Sequence, residues 1–110
     1  MKLTKIETKG EIGSGNQNTI NIMNGCTESG IAARLCGDLV QGGFSDWFLP
    51  SKDELNLLYV NRALTGMGTD IYWSSTEGDN GNAWIQNFTF GFQSYVAKVS
   101  TYNVRAVRAF

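Results

Sequence analysis

Lys98, Arg105 and Arg108 lie near the end of the chain, with Tyr95, Tyr102 and Asn103 close by in sequence. A local cluster of such cations suits polyanion recognition, each charge holding a sulfate- or phosphate-like group. The chain carries 9 basic and 10 acidic residues, a net charge of -1, so no global field draws in a polyanion and such binding has to be local. Arg105 and Arg108 differ by three positions, so on a regular strand they point to opposite faces, and only one can share a surface with Lys98. Scattered solvated charges account for the same residues. Lys98, Arg105, Arg108 and Tyr95 are the candidate ligand-binding set.

Two other groupings could do chemistry. "TEGDNGNAW" gathers Glu77, Asp79, Asn80 and Asn82, oxygen donors of the kind a hard cation takes. A solvated hairpin turn explains them equally, and no metal site is assigned. Cys26 and Cys36 form no CxxC. With Cys26 just before a helix that contains Cys36, the sulfurs would sit about 12 Å apart at roughly 1.5 Å per residue, which disfavours a bridge. Histidine is absent, and with it the usual general base at neutral pH, the usual partner of a nucleophile and the commonest metal ligand. The expectation is a protein that is not an enzyme, with no catalytic residue and no cofactor.

The elements that must position these residues follow from local pattern. "KLTKIETKGEIG" alternates weakly, predicting a short strand within residues 1–10. "SGNQNTINIMNG" predicts a short helix or turn with Ser and Asn caps. From 29 to about 41 a helix is expected, with Ile31, Ala32, Leu35, Cys36, Leu39 and Val40 as its apolar stripe and Gly42-Gly43 as its C-cap. In "GGFSDWFLPSKDELNLLY" Pro50 drives Leu49 out of helical space, and Ser51 with Glu54 three residues on is a capping box. A helix then starts at Lys52 with Leu55, Leu58, Tyr59 and Arg62 on one face. "DWFLP" thus reads as a rigid corner, Trp47 and Leu49 burying one side. Four strand-like blocks follow, "IYWSST", "NAWIQNFTF", "QSYVAKVS" and "YNVRAVRAF", with Asn80-Gly81 and Gly91 as turns. Helices first and strands second predict an α+β fold.

At 110 residues, 42% hydrophobic and 17% charged, the chain suits a single domain over 1–110. No apolar run approaches the roughly 20 residues a bilayer needs, so membrane insertion is not expected, and the balanced charge argues against nucleic acid. The first ten residues have no apolar stretch, so if the parent protein is secreted its signal lies elsewhere.

The blocks "GGFSDWFLPSKDELNLLY", "YWSSTE", "NAWIQNF" and "YNVRAVRAF" together resemble domain-of-unknown-function family 1566, found at the C-terminus of the Legionella collagen-like adhesin and in bacterial surface and phage-associated proteins. The resemblance covers roughly residues 11 to 110. It implies a C-type-lectin-like fold, also similar to formylglycine-generating domains, with two main helices packed on a twisted antiparallel sheet. It further implies an extracellular, commonly trimeric binding module. Relatives often carry Arg where this chain has Phe48, and usually have a further strand upstream, so a bare sheet edge is expected here. The Glu-Pro-Asn or Gln-Pro-Asp loop of calcium-dependent lectins has no counterpart around Pro50. The expected function is a cell-surface adhesion module for host sulfated polysaccharide such as glycosaminoglycan. The alternative is a protein-receptor-binding or variable display domain.

Overall fold

A computed structural model describes residues 8–25, 31–78, 82–98 and 101–108. Among the described residues four helices come first: α1 (Gly15–Gly25), α2 (Ala32–Gly37), α3 (Lys52–Val60) and α4 (Arg62–Thr65). Three strands follow, β1 (Ile71–Glu77), β2 (Asn82–Asn87) and β3 (Gln93–Ala97), forming one antiparallel sheet in that order. The architecture is α+β.

Register explains which side chains face where. Tyr72 and Trp73 pair with Gln86 and Ile85, but Glu77 pairs with Ala83, so β1 sets Ser74, Ser75 and Thr76 opposite Trp84 alone. The Ser74 hydroxyl stabilises this irregularity by donating to the Trp84 carbonyl at 2.9 Å. Apolar side chains then cover both faces of the sheet. Trp73, Ala83 and Ile85 pack with Val96, Tyr102 and Val104 on one side. Tyr72 and Phe88 pack with Leu55, Met67, Leu58 and Tyr59 on the other, where α3 lies. A third cluster, Ile22, Ile31, Ala33, Cys36 and Leu49, joins α1 to α2.

α3 begins as expected. Ser51 Oγ accepts from the Glu54 amide at 3.3 Å, and the Ser51 amide donates to Glu54 Oε1 at 2.8 Å. Glu54 also accepts from the amides of Gly13 and Gly15, each at 3.0 Å, so one carboxylate ties the start of α3 to the start of α1.

Several expectations are corrected. The helix expected over 29–41 is the shorter α2, residues 26–30 lying outside the described set, and Leu35 and Val40 of its stripe are exposed. Gly42 and Gly43, at φ 63° and 82°, do not cap it; they form a tight turn whose flanking Gln41 and Phe44 exchange backbone hydrogen bonds at 3.0 and 3.1 Å. Among the described residues, 101–108, which hold most of "YNVRAVRAF", form no strand: their main chain pairs with β1 only through an isolated parallel bridge from Asn103 to Tyr72 and with Phe48 through an antiparallel one from Val107, while Tyr102 and Val104 pack on the sheet face. Trp47 is only partly buried, whereas Phe48 and Leu49 are both core residues.

The expected N-terminal strand falls largely on residues 1–7, and the Asn80-Gly81 turn on 79–81, both outside the described residues. Residues 8–10 are irregular and dock through side chains: Thr8 Oγ1 accepts from the Glu77 amide at 2.9 Å, and the Lys9 carbonyl accepts from Thr76 Oγ1 at 2.9 Å. With Ser75 N donating to the Pro50 carbonyl at 2.7 Å and Trp73 N to that of Asn103 at 2.9 Å, the outer edge of β1 is covered rather than bare.

Candidate functional site

The residues from Phe48 to Lys52 organise the surface around them. Phe48 and Val107 exchange backbone hydrogen bonds at 2.9 Å, and the Leu49 amide donates to Thr19 Oγ1 at 2.9 Å. Ser51 Oγ donates to the Glu11 carbonyl at 2.8 Å, and the Lys52 amide to Thr76 Oγ1 at 3.0 Å. Every polar group named here is spent on holding the chain, which is the behaviour of a structural corner.

The four candidate ligand residues are held by different elements. Lys98 Nζ lies 2.7 Å from Glu77 Oε1, with both side chains essentially excluded from solvent, so its charge is committed to the interior. That pair also takes the Glu77 carboxylate out of the group of oxygen donors that "TEGDNGNAW" offers. Arg105 is exposed and donates through Nη2 to the Thr65 carbonyl at 3.1 Å. Arg108 makes a two-pronged contact with Asp46, Nε to Oδ1 at 2.5 Å and Nη2 to Oδ2 at 3.1 Å, and stacks 3.6 Å from the Phe44 ring centroid. The Arg108 hydrogen bonds hold the Asp46 carboxyl below its ordinary range. Tyr95 is 54% exposed and meets the Trp84 ring edge-on, centroids 5.2 Å apart.

Two surface arrangements emerge that the sequence did not indicate. On α4, Arg62 donates through Nη1 to the Tyr59 carbonyl at 2.9 Å and lies 4.3 Å from that ring's centroid, while Arg105 binds the carbonyl of Thr65 at the other end of the same short helix. Two guanidinium groups therefore bracket α4, beside an open hollow of about 440 Å³ lined by Val60, Arg62, Ala63, Met67, Gly68 and Thr69. Near the start of α3, Lys52 Nζ sits 5.4 Å from the centroid of Trp84, the ring that also supports Tyr95.

A family model described as the Lcl C-terminal domain matches residues 8–108. The chain belongs to the Lcl C-terminal domain family. No curated protein matches it. Membership agrees with the resemblance to the C-terminal domain of the Legionella collagen-like protein and supports an adhesin-like bacterial surface domain.

For an Lcl C-terminal domain, this chain offers anchored cations and exposed rings. Among the described residues no group of three or more Cys, Asp or Glu side chains could hold a metal ion. Among the described residues no helix is long and apolar enough to cross a membrane. Cys36 is a free, buried thiol whose pKa burial pushes up to about 12, which keeps it protonated and unreactive.

Arg62 was missed as a site residue because the helical pattern through "KDELNLLYVNRAL" assigns it to the packed face of one long helix. α3 ends at Asn61, whose Nδ2 donates to the Leu57 carbonyl at 2.9 Å, and Arg62, although it lies over the Tyr59 ring of that face, stays exposed at the start of α4. Lys52 and Trp84 are far apart in sequence and carry no local signal of their meeting.

Proposed function

We propose that this Lcl C-terminal domain is a non-enzymatic adhesion module, displayed at the cell surface, whose ligand is a sulfated polysaccharide of the glycosaminoglycan class. The observation that carries the reading is the pair Arg62 and Arg105 bracketing α4. Each guanidinium is anchored by one hydrogen bond to a main-chain carbonyl and remains at the surface, so donors are left for a sulfate and little rotamer freedom is lost on binding. Arg108 contributes less, because Asp46 already occupies its fork. The homotrimer that the family resemblance implies would present three copies of the patch and raise avidity without any new contact.

The test is heparin binding measured against an unsulfated polysaccharide over a salt series. Heparin binds more tightly, its affinity falls steeply with salt, and Arg62→Ala with Arg105→Ala lowers the salt slope by about two, one per lost contact. Chelator leaves binding unchanged. Affinity that is flat in salt, or that chelator abolishes, overturns the reading. A protein receptor is the second reading, favoured by the exposed apolar side chains Leu57, Val60 and Leu64 along α3 and α4.

A further inference from the structure

We propose that Tyr95, Trp84 and Lys52 form a second contact on the same polysaccharide, a stacking platform for one hexose unit that carries a sulfate or carboxylate. This rests on the polysaccharide reading above and adds a site to it.

The three residues come from α3, β2 and β3, and the fold converges them. Trp84 and Tyr95 are directly paired across β2 and β3, which brings their side chains onto the same face of the sheet. Gln86, two residues along β2, faces α3 and donates to Asn56 Oδ1 at 2.9 Å, so Trp84 lies on that face as well, towards the helix start where Lys52 reaches its ring.

Tyr95 is seated in a particular way. A Cβ added at Gly78 would meet Tyr95 Cδ2 and Cγ at 3.2 Å and Cβ at 3.3 Å, so the tyrosine lies across bare backbone, a close approach that only glycine at 78 permits without adjustment. With Trp84 at its edge and Gly78 beneath, Tyr95 is supported on two sides and yet more than half exposed. An exposed tyrosine held this firmly loses little freedom on binding, and its negative ring face suits the polarised C–H bonds on the apolar side of a pyranose.

Lys52 selects which sugar. Its ammonium has a second neighbour, Asp53 Oδ1 at 3.2 Å, with the two side chains 32% and 47% exposed. A pair that open to solvent is weak, and a sulfate or carboxylate on the stacked ring can compete for the cation. A neutral hexose gains the stacking alone. Lys52 and Val60 open and close α3, so the platform and the α4 bracket are about 12 Å apart along the helix at roughly 1.5 Å per residue. One extended chain can engage both.

The experiment uses the intact domain and a heparin-derived hexasaccharide, with a neutral hexasaccharide of glucose as control. Tyr95→Ala weakens heparin oligosaccharide binding about fivefold or more and leaves the salt slope unchanged, because an uncharged contact is lost. Lys52→Gln reduces the slope by about one. In the unsubstituted protein the Trp84 indole N–H resonance shifts as the oligosaccharide is added, a readout that needs no variant to fold. If both variants bind as the parent does and Trp84 does not move, while the Arg62/Arg105 double variant is weakened, the platform is wrong and the proposed function stands. If the parent binds no heparin oligosaccharide at all, both are overturned.

Discussion

Replacing Lys98 with alanine tests the claim that a residue expected to bind ligand is part of the interior. In the folded protein its ammonium lies 2.7 Å from Glu77 Oε1 with both side chains shielded from water. Taking away one member of such a pair leaves a carboxylate in a low-dielectric site without its countercharge, at a cost of about 3–5 kcal/mol. For a domain near 110 residues that is a drop in Tm on the order of 10–20 °C. The opposite substitution pattern behaves differently. Lys98→Met combined with Glu77→Leu removes both charges and keeps the volume filled, so it costs little or even stabilises. Urea denaturation followed by circular dichroism, on the parent, the single and the double variant, measures all three. Arg105→Ala, at an exposed position, serves as the reference and changes stability by no more than about 0.5 kcal/mol. A Lys98→Ala protein as stable as the Arg105→Ala protein would refute the burial argument, and so would a double variant less stable than the single. The ordering also bears on function, since heparin affinity lost in a Lys98 variant would report a damaged fold rather than a missing contact.

Phe48→Ala costs about 3–5 kcal/mol, and Trp47→Ala clearly less, because Phe48 is 5% exposed in the core while the partly buried Trp47 spends its indole N–H on the Phe44 carbonyl at 3.1 Å; thermal melts of both variants decide it. Asp46 titrates below the ordinary carboxylate range in the folded protein, so the stability its pairing contributes is present above that range and is lost as pH falls through the depressed value; carboxyl NMR titration shows the low midpoint, and Arg108→Ala restores the ordinary one. Cys36, with its pKa raised to about 12, resists alkylation at pH 8 until denaturant is added, and mass spectrometry resolved by residue reads this directly. The stability that its neutral thiol contributes is whole below the ordinary thiol pKa and is lost as pH climbs towards that raised value.

What the sequence made legible was local. Ser51 and Glu54 announce α3 because a capping box is written within four residues and needs no distant partner. The aromatic and β-branched texture of 71–97 announces three strands for the same reason. "YNVRAVRAF" has that texture too, but a strand also needs a main-chain neighbour along its length, and among the described residues it pairs with Tyr72 and Phe48 at single points only. Lys98 misled because lysine is rarely buried, and its countercharge at Glu77 lies two strands away along the chain, on the far side of a three-stranded sheet order. Of the candidate ligand set, Arg105 and Tyr95 are displayed, Arg108 is spent on Asp46 and Lys98 is enclosed. The partners that turn Tyr95 and Arg105 into arranged surfaces, Lys52, Trp84 and Arg62, come from elsewhere in the chain, and only the tertiary fold brings them close.

The covered edge of β1 imposes an order on assembly. The hairpins that join β1, β2 and β3 close over short loops and can form early. The other side of β1 is satisfied by Thr8, by Pro50 and by Asn103, and these arrive from both directions along the chain; the Glu77 amide alone reaches back across 69 residues to its Thr8 acceptor. Closing such loops is entropically costly and slow. Thr8 and Pro50 precede β1 in the chain, so it is the Trp73 amide and the Ile71 carbonyl that wait for Asn103. That side of β1 is the part of the fold most open to pairing with a wrong neighbour until the segment carrying Asn103 docks.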